Sequence, residues 1–346
     1  MPNLSKSAWS SERGPYVIAE AGLNHNGDLA SALRLIDVAA ECGADAVKFQ
    51  KRHVDGLATQ SVLEQDDTRF PSLGSTYRQL RETHEFSFEE FTRLKEHAVG
   101  CGLDFFVTPF DTESLNFLTE LGVDRFKIAS HGLTNLPLLR AVASTGKPVL
   151  LSTGMATQFE VDLAVAVLQE RVSDLALLHC VSSYPTPVSE MRLDLIEALK
   201  SRYQLPVGYS GHEIGYIPTT VAVAAGATII ERHVTLDSGQ EGFDHRLSLE
   251  PGEFRDLVSW VRQIPEMFGS GPKYVTPSEL VTRNKYQVSA IAATHIGKGT
   301  VLTPHHVVYK NPGTGLTPYQ ASDLFGLTSN MNIEQDELLD KEMFGE

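Results

Sequence analysis

Two lysines stand inside otherwise apolar runs, Lys48 in AVKFQ and Lys127 in FKIAS. A lysine in such a run must reach water or pair with an anion, because burying it alone is costly. Thr108, Ser130, Ser152 and Thr153 close similar runs. Together with the lysines they make the donor set of a phosphate and carboxylate cradle, to which Gly154 adds backbone N–H groups. The alternative is that each lysine pairs with a structural carboxylate. His212 and His233 follow two further apolar runs, with Glu20, Glu231 and Asp244 as candidate acidic partners. Two imidazoles plus oxygen ligands suit Mn, Zn or Co better than Ca. The histidines lie about twenty residues apart, which is no motif by itself, so core packing reads equally well at this point. The turn Gly22-Leu23-Asn24-His25-Asn26-Gly27 is expected to present Asn24 and His25 to the same pocket. It lacks the spacing of a dinucleotide fingerprint, and neither a Walker A motif nor a G-x-S-x-G elbow occurs. His84, His97 and His305 read as surface or packing residues.

These side chains need a frame that brings them together. Eight segments rich in Val, Ile, Leu and Phe read as buried parallel strands: 16–20, 44–50, 103–109, 125–130, 147–152, 175–180, 205–210 and 227–231. Amphipathic helices separate them. One covers 29–43 with Gly43 as its stop signal; another covers 87–102, with Ser87 and Glu90 in capping-box positions. Eight such units predict a closed (β/α)8 barrel, with a doubly wound open sheet as the runner-up. In a barrel the site lies at the C-terminal strand ends. There the chain offers Glu20, Lys48 with Gln50, Thr108, Lys127 with Ser130, Ser152 with Thr153, His179 with Cys180, Tyr209 with Ser210, and Glu231 with His233. The long segment 54–85 reads as a lid or binding loop. The barrel is expected over residues 1–268, a Gly/Pro/Ser-rich linker over 269–283, and a small accessory domain over 284–346.

A formal charge of −15 argues against a nucleic-acid surface, so an anionic ligand must be held by a local pocket of basic groups. No apolar run is long enough to cross a membrane, and the opening residues have no signal-peptide core. Three cysteines without metal-site spacing fit a reduced, cytoplasmic protein.

The runs IAEAGLNHNGDL, GADAVKFQ, FFVTPFD, FKIASHGLTNLPLL, GKPVLLSTGM, LLHCVSSYPTP, VGYSGHEIG, IIERHVTLD and GFDHRLSLEP closely resemble the N-acetylneuraminate (sialic acid) synthase family, over residues 15 to 346. That family includes legionaminic and pseudaminic acid synthases and the spore coat polysaccharide synthase group. The tail IGKGTVLTPHHVVYKNPGTGL resembles the family's antifreeze-like (SAF) domain. The resemblance implies a transferase that condenses phosphoenolpyruvate with a sugar aldehyde. It also implies a divalent metal, Mn before Mg, Co or Zn, and a domain-swapped homodimer in which the SAF domain covers the partner's barrel. Lys48, Thr108, Lys127, Ser130, Ser152 and Tyr184 match phosphoenolpyruvate-binding positions, His212 and His233 the metal ligands, and Glu20, Glu231 and Asp244 the acidic active-site residues.

The chain departs from the family pattern in four places. Ser210-Gly211-His212 replaces the common S-D-H, and Ser182 stands where an Asn often contributes to phosphate binding. Gly132 stands where many members carry an acid, which predicts more room beside the sugar. Asn311 replaces the Arg of K-R-P-G that reaches toward the sugar's acyl group; as a shorter, neutral amide it cannot act as a cation. Two other readings compete: a metal-dependent barrel synthase or aldolase acting on a non-acylated sugar, and a non-catalytic paralogue.

Overall fold

Each of the eight apolar segments overlaps a strand, and in the computed structural model, which describes residues 7–345, the strands close into a single parallel ring. The strands are β1 (Tyr16–Gly22), β2 (Ala46–Lys51), β3 (Asp104–Pro109), β4 (Phe126–Ile128), β5 (Val149–Ser152), β6 (Leu175–Cys180), β7 (Val207–Gly211) and β8 (Ile229–His233). They follow sequence order around the ring, and β8 pairs with β1. This is a (β/α)8 barrel and not the open sheet.

The two-residue period of a strand sorts the side chains into two populations. Val17, Ala19, Val47, Phe49, Leu151 and Leu177 point outward and pack on the helices. Tyr16, Ile18, Ala46, Phe106, Leu150, Ala176, Leu178 and Ile229 form a separate apolar column inside the ring. The next inward position on each strand is Glu20, Lys48, Thr108, Ser152, Cys180 or Glu231. The column is therefore apolar at its base and polar at its mouth. Parallel register brings the polar layer level: Glu20 lies opposite both Lys48 and His233, Gln50 opposite Thr108, and Ser210 opposite both Cys180 and Glu231.

The helices form where their caps predict. Leu29–Glu41 starts at Asp28, whose carboxylate accepts from the N–H groups of Ala30 and Ser31. It stops before Gly43, which takes a φ of +83°. Phe88–Gly100 opens on the Ser87–Glu90 capping box. The base of the ring is closed by the residues ahead of β1. Trp9 is buried edge-on against Tyr16 and Phe106, at centroid distances of 6.3 and 5.7 Å. The Arg125 guanidinium lies 5.4 Å from the Trp9 ring and donates to the Ala8 carbonyl at 2.5 Å.

The chain divides into two units after Gly269. The second unit has its own core of Ala290, Ala292, Ile296, Leu302, Leu324, Ile333 and Phe344 around an antiparallel pair, Ser289–Ala292 with Val307–Lys310. The expected linker over 269–283 is only partly irregular, because Pro277–Tyr286 is a helix. Thr276 and Glu279 form a capping box with Pro277 in the first turn. That Thr-Pro-Ser-Glu run is a start signal, and the Gly and Pro residues just before it hid it.

Candidate active site

The polar layer opens into a cavity of about 620 Å³ at the C-terminal ends of the strands. Its floor is a quartet of buried charges. Lys48 Nζ lies 2.6 Å from Glu20 Oε2 and 3.8 Å from Glu231 Oε2, and donates to Thr108 Oγ1 at 3.2 Å. Lys127 Nζ lies 3.4 Å from Glu231 Oε1. Gln50 Nε2 donates to Glu20 at 2.6 Å, and Ser210 Oγ to Glu231 at 3.1 Å. Burial alone would raise the Glu231 pKa, but Lys127 and Lys48 outweigh it and bring it down to about 2. Burial lowers that of Lys127. The lysines pair with carboxylates, as one of the two sequence readings has it, and lysines and carboxylates alike line the cavity.

Beside the quartet, Ser130 Oγ accepts from the Gly154 N–H at 3.0 Å. That N–H is therefore taken by a serine. A Cβ on residue 154 would sit 2.4 Å from Ser182 Oγ and 2.7 Å from Ser130 Oγ, so only glycine lets both hydroxyls approach this close. Ser152 Oγ is buried with no hydrogen-bond partner, in the wall of the cavity. Thr153 does not join them; its hydroxyl donates to the Leu178 carbonyl at 3.0 Å.

His212 and His233 come together with ring centroids 5.4 Å apart. His212 Nδ1 lies 3.1 Å from the Val181 carbonyl. In the neutral ring this hydrogen bond places the proton on Nδ1 and leaves Nε2 with a lone pair. His233 Nδ1 is buried without a hydrogen-bond partner, 3.6 Å from Asp244 Oδ2, and burial depresses its pKa and favours the neutral ring. The Tyr184 ring lies 4.2 Å from that of His212. Two imidazoles, a nearby carboxylate and an orphaned ring nitrogen make a donor set that fits a divalent cation. Among the described residues, the one trio of ligand types within 4.8 Å of one another lies elsewhere: Asp37, His97 and Cys101 on the outer helices, where His97 is bound to Asp37 at 2.7 Å.

Several expectations fail for reasons of direction. Asn24 and His25 face away from the cavity. Asn24 Nδ2 donates to the Val234 carbonyl and Ser248 Oγ, and His25 stacks on Phe86 at 4.4 Å. His179 and Tyr209 occupy outward strand positions, His179 bound to the Met191 carbonyl and Tyr209 to Glu213. A Cβ at Gly132 would face Ile128 Cγ2, 3.3 Å away, and Leu138, so the space that this glycine leaves lies against those side chains and Gly132 does not line the cavity. At Gly211 a Cβ would meet Glu213 Oε2 at 2.5 Å. Glu213 fills the space of the acid common at 211, bound to the fully buried Arg232 at 2.6 Å and to Tyr209 and Thr219. Asn311 is exposed on the second unit, and its neighbour Lys310 is held by Asp336.

Sequence reasoning marks 54–85 as a lid or binding loop, and part of it does line the opposite side of the cavity, but the residues of that wall go unnamed. Arg52, Arg69, Tyr77, Arg81, Phe110, His131 and Phe243 all line it. Most come from the loops after β2, β3 and β8, which pack on one another. Asn26 Nδ2 donates to the Glu241 carbonyl, Ser72 Oγ to the Glu241 carboxylate, and Phe70 meets Phe243 at 5.0 Å. A signal for Arg52 was available: it continues the inward period of Ala46, Lys48 and Gln50 by one step beyond the strand.

A (β/α)8 ring with lysines, glutamates and histidines gathered at its mouth has the make-up of a barrel enzyme. The chain belongs to the NeuB family, whose model matches residues 35–273. It is 42% identical over 325 residues to an uncharacterised protein of Methanocaldococcus jannaschii, covering 94% of this chain and 93% of that one. It is 37% identical over 327 residues to the N,N'-diacetyllegionaminic acid synthase of Campylobacter jejuni, covering 93% and 98%. Among solved structures, an N-acetylneuraminic acid (sialic acid) synthetase of Leptospira borgpetersenii superposes with a TM-score of 0.68 at 39% identity, covering 78% of this chain and 90% of that one. The named relatives are sialic-acid-type synthases. No helix among the described residues is long and apolar enough to cross a membrane.

Proposed function

We propose that the barrel condenses phosphoenolpyruvate with the open-chain aldehyde of an N-acyl amino sugar, giving a sialic-acid-like 2-keto-3-deoxy sugar acid and phosphate. The observation that carries this reading is the buried Lys48–Glu20 and Lys127–Glu231 quartet beside the unpartnered Ser152 hydroxyl. The phosphate and carboxylate of phosphoenolpyruvate would take the lysines, Thr108, Ser130, Ser152, Ser182 and Tyr184. His212 and His233, with Asp244 beside them, would hold a divalent cation, Mn first, which supplies Lewis-acid polarisation of the aldehyde. C3 of phosphoenolpyruvate bonds to the aldehyde carbon as the C=O pair moves onto the aldehyde oxygen, leaving positive charge at C2. Water adds at C2; Glu20 takes one of its protons, which ends on the former aldehyde oxygen, and the other leaves with the phosphate as the C2–O bond breaks and the C2 carbonyl forms. Lys48 and Lys127 neutralise the charge that gathers on the leaving group. Glu231, held ionised, keeps both ammonium groups in place, and Asp244 orients sugar hydroxyls.

The test is phosphate release from phosphoenolpyruvate with Mn and a panel of acylated and non-acylated amino sugars. Turnover is expected with an acylated member, abolished by chelator and restored by Mn. Full turnover in excess chelator would remove the cation from the reading. Release only with non-acylated sugars would remove the acyl group.

A further inference from the structure

We propose that the wall formed by Arg52 and Arg81 binds an anionic substituent, a phosphate ester or a carboxylate, carried by the sugar. The inference rests on the condensation proposed above and specifies the class of sugar. Arg52 is only 5% exposed. Its guanidinium lies 3.8 Å over the Phe110 ring, Nη2 donates to Gln50 Oε1, and Nη1 is buried with no partner. Arg81 sits 4.1 Å over Phe243 and 4.9 Å over Tyr77, and its Nε is buried with no partner.

The charge balance of the cavity sets these two apart. Lys48 and Lys127 are matched by Glu20 and Glu231, and Arg69 by Asp67 at 2.6 Å. Neither Arg52 nor Arg81 has an ion pair among the described residues, although both line the cavity. Burial and the charge of Arg81 bring the Arg52 pKa down to about 10, still a cation at neutral pH. An unpaired buried cation is unfavourable, and two side by side also repel. An incoming anion relieves both. The aromatic faces hold the guanidinium planes and leave their N–H edges for the ligand, the geometry that suits phosphate and carboxylate oxygens. Phosphoenolpyruvate is provided for by the lysines of β2 and β4 and by the serines near the ends of β4 to β6, so the second anion belongs to the second substrate.

The experiment compares N-acetylmannosamine, its 6-phosphate and N-acetylmannosaminuronic acid in the phosphate-release assay with the full chain, phosphoenolpyruvate and Mn. At least one anionic sugar is expected to exceed the neutral one tenfold or more in kcat/KM, and the better of the two identifies the group as phosphate or carboxylate. Arg81→Gln is expected to erase most of that preference by raising the KM for the sugar, and Arg81→Lys to restore part of it. Equal or better use of the neutral sugar overturns the inference. So does a loss in Arg81→Gln that falls on the KM for phosphoenolpyruvate. If no sugar releases phosphate, the condensation reading fails, and the anion site is judged by thermal shift with the 6-phosphate. A rise in Tm that Arg81→Gln abolishes upholds the site, and no rise in the wild type overturns it.

Discussion

The two walls of the cavity treat charge in opposite ways. On one, Lys48, Lys127, Glu20 and Glu231 form a neutral quartet in which every charge has a partner. On the other, Arg52 and Arg81 lie on aromatic rings with no ion pair among the described residues. The first wall rests on strands, where register fixes each group to its neighbour. The second rests on loops held by rings and by the histidines His25 and His84. A paired charge placed on strands is stable without a ligand. An unpaired charge placed on loops stores unfavourable energy that a ligand removes, at a cost to stability in the free protein.

Removing one cation from each wall tests this contrast most directly. Lys48→Ala strands Glu20 and is expected to cost about 3–5 kcal/mol in denaturant unfolding. A loss under 1 kcal/mol would mean that the quartet is not an interdependent unit. Acid should separate the walls next. Burial brings the pKa of His25 down to about 3 and that of His84 to about 4. Both folded values lie below the unfolded value of 6.5, so the unfolded chain binds protons first. The stability that these neutral rings contribute is whole above pH 6.5 and is lost as pH falls toward 4. The slope is about 1.4 kcal/mol per pH unit for each ring. Glu231, whose pKa Lys127 and Lys48 depress against the effect of burial, stays ionised through that window. Unfolding at pH 7, 6 and 5 should show this slope, and His84→Gln should remove roughly half of it. A flat profile would show that the histidines do not secure the loop wall. The smallest effect is expected from Arg52→Met, which removes an unpaired cation and should change stability by between zero and a gain of about 1 kcal/mol. A loss as large as that of Lys48→Ala would erase the distinction between the walls.

What the sequence made legible follows the same division. The eight strands are continuous apolar runs, and the lysines and carboxylates interrupt those runs at inward positions, so both fold and quartet can be read from the chain. The period of two carries the direction of a side chain only while the backbone stays extended. It separates Ser210 from Tyr209 and Cys180 from His179 once the register is known. Gly132 lies in a 3-10 turn and Asn24 in a tight turn, where spacing no longer gives direction, and the reading of both failed. Arg81 is hidden for a related reason. Its helix, Tyr77–Glu82, is one of several short elements between β2 and the helix Phe88–Gly100. The rings that it meets come from Tyr77 nearby and from Phe243, far along the chain.

The plug beneath the ring has an optical consequence. The chain has two tryptophans: Trp9, buried against β1 and β3, and Trp260, which is 46% exposed. The dry, edge-on surroundings of Trp9 exist only when Tyr16, Phe106 and Arg125 have been brought together, and those residues belong to three different β–α units. In a Trp260→Phe background, the emission of a single indole would follow closure of the ring at its base, leaving the chemistry at the mouth undisturbed.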